Sequence, residues 1–270
     1  MSRTNQHVVI VGGASGLGRE LLIEASRKGH RIAFLDINDT RAKQLGHEFA
    51  ESNIEYIYQH CDIRHEEECR RALERISQRW GHIDIIIQAA GVASAGLVET
   101  VTKQQWQKQL DVNLLGTVNI NQAALRIMKQ QRFGHLVNVA ALVGLLPTPS
   151  LSSYAATNAA IIAYSESLYA ELEPLNIKVS VVCPSFFKSN LNERLYTTDP
   201  IARARFERLL NRPDLPTDEI ARRTFKQIES QRFFILPHPN SHVMWRQKRW
   251  FPERFYRSLK SLAQKVRPAP

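Results

Sequence analysis

Short apolar runs alternate with longer stretches of helical periodicity along most of this chain. His7–Gly12 (HVVIVG) reads as a strand, being a β-branched apolar run that ends at glycine. A helical pattern follows from about Gly16 to Lys28. The alternation then repeats. Strands are predicted at Arg31–Leu35, Ile54–His60, Ile83–Ala89, His135–Val139 and Lys178–Cys183, with helices at Thr40–Ser52, Glu66–Trp80 and Ser153–Glu173. A long helical stretch over Lys103–Gln131 carries a break near Asn113–Gly116. A helix at Asp218–Ser230 and a strand at Phe233–Leu236 close the series.

Strands this short and apolar, separated by helices, predict an α/β fold with a parallel sheet covered on both faces. Right-handed crossovers make it a doubly wound, Rossmann-type sheet in a single domain over residues 1–240. Residues 186–216 form an excursion between a strand and the next helix. Ligands in such sheets sit beyond the carboxyl ends of the strands, so this excursion is predicted to be a substrate lid.

The pattern changes over residues 241–270, a basic, aromatic and amphipathic tail. A helix is expected from Glu253, with Phe255, Leu259, Leu262 and Val266 on one face and Arg254, Arg257 and Lys260 elsewhere. Such a tail suits docking on an acidic membrane surface or partner, and equally suits packing on its own domain or across a dimer.

Composition adds bounds. With 270 residues, 43% hydrophobic and 23% charged, the chain has the make-up of a globular α/β domain. No apolar run approaches the roughly 18 residues of a membrane span. Met1–Gln6 has no signal-peptide character, so a cytoplasmic, at most membrane-peripheral, location is expected. Cys61, Cys69 and Cys183 form no CxxC pair and read as reduced thiols. The nine histidines make no HxxxH or His/Cys cluster, so no metal site is expected. The net charge of +10 belongs mostly to the tail, where eight basic residues and one acid lie between Val243 and Pro270. No nucleic-acid-binding motif accompanies that charge, so nucleic acid is not an expected partner.

The strongest chemical signal follows the first strand. Gly12, Gly16 and Gly18, with Ser15 and Leu17 between them, form a turn that opens a helix. Glycines there let backbone approach a pyrophosphate, and the helix N-terminus offers it free N–H groups. Asp36 ends the second strand, where a carboxylate accepts ribose hydroxyls and repels a 2′-phosphate, favouring NAD(H) over NADP(H). Asp62, after the third strand, is placed either to contact adenine or to cap the following helix.

The GxxxGxG spacing, Asp62, Ala89-Ala90-Gly91, Asn113 within DVNLLG, Tyr154, and Pro184 with Ser189 fall in order over residues 7–237. In this the chain resembles the short-chain dehydrogenases/reductases. Val11, Gln88 and Ser185 depart from the family's usual Thr, Asn and Gly. The resemblance implies that Ala90, Gly91, Pro184 and Ser189 contact the cofactor. It also implies a small-molecule substrate, and a homodimer or tetramer paired through the helices at 103–131 and 153–173.

The family's catalytic set is a tyrosine acid/base, a lysine that lowers its pKa, a serine that polarises the substrate oxygen and an asparagine that keeps a relay water. The resemblance assigns tyrosine to Tyr154 and asparagine to Asn113. The lysine position holds Asn158 and the serine position holds Ala141. A free tyrosine titrates near pH ~10, so base work near neutrality needs a shift of roughly three units, about 4 kcal/mol, which a neutral amide cannot supply. Asn158 can still hydrogen-bond a cofactor ribose. The expectation is an NAD(H)-binding oxidoreductase acting on a hydroxyl or carbonyl of an apolar molecule, with a weakened centre. A catalytically inactive NAD(H)-binding scaffold or sensor, and a non-redox dehydratase or isomerase, remain open beside it.

Overall fold

In the structure, a computed structural model, residues 5–211 and 214–266 are described. The other residues of the expected domain, lid and tail (1–4, 212–213 and 267–270) lie outside the described residues.

The chain begins with three strand–helix units: β1 (His7–Val11), α1 (Gly16–Arg27), β2 (Arg31–Asp36), α2 (Asp39–Glu51), β3 (Tyr56–His60) and α3 (Glu66–Trp80). It continues through β4 (Ile85–Gln88), the short β5 (Ala93–Ser94), α4 (Lys103–Gln109), a π-helical segment over Leu110–Leu115 and α5 (Gly116–Gln131). Then come β6 (Gly134–Val139), α6 (Leu142–Leu145), α7 (Ser152–Leu172) and β7 (Ile177–Val182). The excursion holds a 3-10 turn (Asn190–Arg194), β8 (Leu195–Tyr196) and α8 (Pro200–Leu210). The rest is α9 (Thr217–Glu229), β9 (Phe234–Ile235), α10 (Ser241–Trp250) and α11 (Pro252–Val266).

Seven strands form one sheet in the order β3-β2-β1-β4-β6-β7-β9, with every pairing parallel. The expected doubly wound architecture is present. All of β1 is buried, and its residues alternate between two cores. Val9 and Val11 pack with α3, α5 and α7, whereas Val8 and Ile10 pack with α1 and α9. That period of two, with both faces covered, is why the strand reads as continuously apolar. The chain leaves β1 towards β2 and β3, then returns on the other side with β4. The crevice between those two directions opens at the carboxyl ends of β1 and β4.

Several boundaries differ from the sequence reading. The third strand starts at Tyr56 rather than Ile54, because the Ile54 N–H closes the end of α2 on the Phe49 carbonyl. Within the excursion the helix begins only at Pro200, where Asp199 Oδ1 accepts from the Ile201 and Ala202 N–H groups. Leu195–Tyr196 pairs with β5 instead. The break in the long helix is the π-helical segment, which carries Asn113. In the tail, α10 was not foreseen. Its inward stripe is Ser241, Trp245 and Lys248, too narrow and too polar to register as apolar periodicity.

Candidate functional site

A cavity of about 400 Å³ opens at the crevice. The glycine turn lines it with Gly12, Ser15, Gly16, Leu17 and Gly18. A Cβ on Gly18 would stand 2.1 Å from the Gly12 carbonyl oxygen, so only glycine lets α1 pack this closely on the turn. Gly16 has φ +57°, and a Cβ there would meet nothing nearer than Ser189 Cβ at 3.8 Å, so this backbone faces open space. Ser15 precedes α1 without capping it through its side chain. A glycine cradle with open space above it, beside an uncapped helix N-terminus, fits a dinucleotide pyrophosphate.

Asp36 lies at the end of β2 with its side chain 1% exposed. Its two carboxylate oxygens accept from the Ala14 N–H at 3.0 Å and the Asn38 N–H at 2.9 Å. Arg194, from the 3-10 turn of the excursion, brings Nη2 to 3.9 Å of Asp36 Oδ1. Neighbouring Glu193 pairs with Arg41 of α2. The excursion therefore reaches the β2–α2 side of the crevice.

Neither Asp36 nor Asp62 lines the cavity. Arg64 grips the Asp62 carboxylate through Nε at 3.0 Å and through Nη2, and this hydrogen bonding holds that carboxyl below the usual range. Asp62 does not cap α3 either, since His65 occupies the cap position without a side-chain bond.

The remaining expected residues all line the cavity: Ala90, Gly91, Asn113, Ala141, Tyr154, Asn158, Pro184 and Ser189. Asn113 Oδ1 accepts from the Val92 N–H and its Nδ2 donates to the Val92 carbonyl, both at 2.9 Å. The π-helical bulge thereby clamps the chain after β4. Gln88 donates to Thr117 Oγ1 at 3.2 Å, and Thr117 donates to the Asn113 carbonyl at 2.6 Å.

Tyr154 sits in the first turn of α7, half-buried among residues that include Ala141, Val143, Phe206 and Leu210. Burial pushes its hydroxyl up to about 12, and hydrogen bonding from the Asn158 side chain opposes only part of that shift. Asn158, 4% exposed, also donates from Nδ2 to the Tyr154 carbonyl at 2.8 Å. Ala141, 8% exposed, presents only a methyl group. The adjacent serines give no substitute at the cavity. Ser153 Oγ lies 2.9 Å from Ser94 Oγ and accepts from Gln109 Nε2 at 3.3 Å, while Ser152 is exposed and outside the lining.

Further residues complete the walls. Leu142, Val143 and Leu146 from the α6 region, Phe186 and Leu210 from the excursion, and Met244, Phe255, Leu259 and Leu262 from the tail make the cavity predominantly apolar. The amphipathic pattern of α11 was the one signal in the sequence that pointed to a buried partner for the tail.

Outside the cavity, His7, His82 and Asp84 bring ligand atoms within 4.8 Å of one another, a cluster that sequence spacing did not reveal. His7 Nδ1 is 3.0 Å from the His82 carbonyl oxygen, and Arg31 Nη1 is 3.5 Å from His7 Nε2, so the cluster is already partnered in part by protein groups.

A doubly wound parallel sheet with a glycine turn at its switch point defines a nucleotide-binding α/β protein. The sequence profile of the short chain dehydrogenases matches residues 6–200, and the chain belongs to that family. It is 29% identical over 248 residues to a CLA biosynthesis dehydrogenase/reductase of Lactiplantibacillus plantarum, covering 85% of this chain and 87% of that protein. It is 30% identical over 186 residues to a 3-oxoacyl-(acyl-carrier-protein) reductase of Homo sapiens, covering 69% and 77%. A short chain dehydrogenase/reductase from Burkholderia phymatum, solved in complex with NAD, superimposes with a TM-score of 0.88 at 22% identity over 94% of this chain and 96% of that one. That likeness is one of fold.

Proposed function

We propose that this protein is a nicotinamide-dependent reductase of an apolar carbonyl compound, preferring NAD(H), with Tyr154 as its proton donor. The observation that carries the reading is the state of Tyr154: half-buried at the cavity wall, with a hydroxyl pushed up to about 12. Such a phenol keeps its proton across the physiological range. It is a poor base for starting an alcohol oxidation, but it can protonate the oxygen of a carbonyl that is being reduced. A reduced nicotinamide, when bound, would supply hydride to the carbonyl carbon. Tyr154 gives its proton to the carbonyl oxygen and regains one from solvent.

The glycine turn and the N-terminus of α1 would hold the pyrophosphate, and Asp36 the adenosine ribose. The lid segment, α6 and α11 would exclude water from an apolar substrate. The NAD complex of the Burkholderia structure and the carbonyl-reducing relative support the cofactor class and the direction. Ala141 leaves the developing oxyanion without a second hydroxyl donor beside Tyr154, a loss of about 10²–10³ in rate by comparison with oxyanion-hole deletions.

Fluorescence titration with NADH and NADPH, followed by turnover of a panel of apolar ketones and aldehydes, tests the reading. NADH binding with slow ketone reduction, lost in Tyr154→Phe, is the expected result. NADH binding with no turnover on the panel would favour a second reading, an NAD(H)-binding scaffold. Its support is the loss of both catalytic groups, at Ala141 and Asn158, with Ser153 engaged elsewhere.

A further inference from the structure

The apolar face of α11 is turned inward. Phe255, Leu259 and Leu262 line the cavity, so the face that would otherwise enter a bilayer is used to close the protein's own pocket. Helix α10 leaves a different face uncovered. Val243 and Trp250 are 53% and 71% exposed, and Arg246 between them is exposed as well. Their spacing of three and four puts all three on one side of the helix. Phe251, 59% exposed, forms the corner between α10 and α11. Beyond it, Arg254, Arg257 and Lys260 point away from the cavity face of α11, against the single exposed acid Glu253.

We propose that this outer surface of α10 and α11 docks on an anionic lipid surface, with Trp250 and Phe251 entering the interface and the arginines and Lys260 meeting lipid phosphates. Three observations choose this occupant. The exposed charge is almost wholly basic, which matches anionic headgroups. The aromatic residues stand at a protruding corner, where a deformable apolar–polar boundary accepts them. A second copy of the chain would place the same cations against themselves in a two-fold interface, which like-charge repulsion opposes. Met244 and Leu262 line the cavity yet are 48% and 42% exposed, so its rim belongs to the same pair of helices. An apolar substrate dissolved in the bilayer would reach the cavity along that rim.

The test uses the full chain and vesicles of phosphatidylcholine, with and without phosphatidylglycerol, in co-sedimentation and tryptophan-emission measurements. Binding should require phosphatidylglycerol, weaken with salt and shift the emission to the blue. Arg246→Gln/Arg254→Gln/Arg257→Gln should weaken partitioning on the order of a hundredfold, since each basic residue near an anionic surface contributes about one factor of five. Trp250→Ser should remove most of the blue shift. These positions are exposed, so the variants should keep the wild-type melting temperature. Three results would overturn the proposal: no preference for phosphatidylglycerol, a change in oligomeric mass caused by the same variants, or binding to polyglutamate as tight as binding to vesicles. Nucleotide binding and turnover are separate readouts that leave this outcome untouched.

Discussion

Asn158 stands one helical turn beyond Tyr154, and its Nδ2 donates to the Tyr154 carbonyl oxygen at 2.8 Å. A side chain at this position therefore reaches the tyrosine, but as a neutral amide it stabilises a phenolate far less than an ammonium would. With burial dominant, the Tyr154 hydroxyl lies near 12.

The pH dependence of reduction follows from that value. A donor with a pKa near 12 stays protonated up to that pH, so the rate of the chemical step should be flat from about pH 6 to 10. A lysine at position 158 lowers the phenol's pKa, and the reductive rate of Asn158→Lys should fall as pH rises through the new, lower value. Single-turnover reduction across pH, for wild type and variant, measures both profiles.

Restoring both lost groups should raise activity. Ala141→Ser/Asn158→Lys is expected to increase turnover by roughly 10²-fold or more, the serine supplying an oxyanion donor and the lysine activating Tyr154. Alcohol oxidation should gain more than ketone reduction, because only oxidation needs the phenolate. Steady-state assays in both directions, with nucleotide affinity held as the control, check the asymmetry.

Asp36→Ala should reduce both stability and cofactor discrimination. The carboxylate accepts from two backbone N–H groups, at Ala14 and Asn38, and their loss in a buried setting costs roughly 2 kcal/mol. The ratio of NADH to NADPH affinity should fall, since the negative charge that repels a 2′-phosphate is gone. Thermal melting and paired titrations separate the two effects.

Trimming the tail wall should weaken substrate binding. Leu259→Ala and Phe255→Ala each remove apolar lining contributed by α11. KM for long apolar substrates should rise several-fold, at ~25 cal/mol per Å² of lost contact, while NADH affinity stays unchanged. An unchanged KM would place the substrate away from α11.

His135 predicts acid sensitivity. It is buried at 6% exposure, its Nε2 lies 2.7 Å from Ser180 Oγ, and burial lowers its pKa from 6.5 to about 4. The unfolded chain then takes up a proton between pH 6.5 and 4 that the folded protein refuses, so stability is full above 6.5 and falls by about 3 kcal/mol towards pH 4. Denaturant unfolding across that range should show the slope, and His135→Gln should reduce it.

Much of this protein is legible one residue at a time. The apolar period of β1, the glycine turn and the identities at positions 141, 154 and 158 need no tertiary information, because they concern local conformation or the presence of a functional group. The strand boundary at Tyr56 was less legible, since a helix-closing bond to the Ile54 N–H competes with sheet pairing. Asp62 was ambiguous between two roles, and the structure gives its carboxylate to Arg64.

The sequence by itself determined a doubly wound sheet, a glycine turn that opens α1, and the side chains Ala141, Tyr154 and Asn158. Tertiary structure alone decided that Ser153 faces Ser94 and Gln109, that the excursion after β7 reaches Asp36 through Arg194, and that α11 turns its apolar face into the cavity while α10 leaves Trp250 outside. Periodicity tells which face of a helix is buried but not what buries it. That partner is set by contacts between segments a hundred or more residues apart, such as Leu142 and Phe255 on one cavity wall.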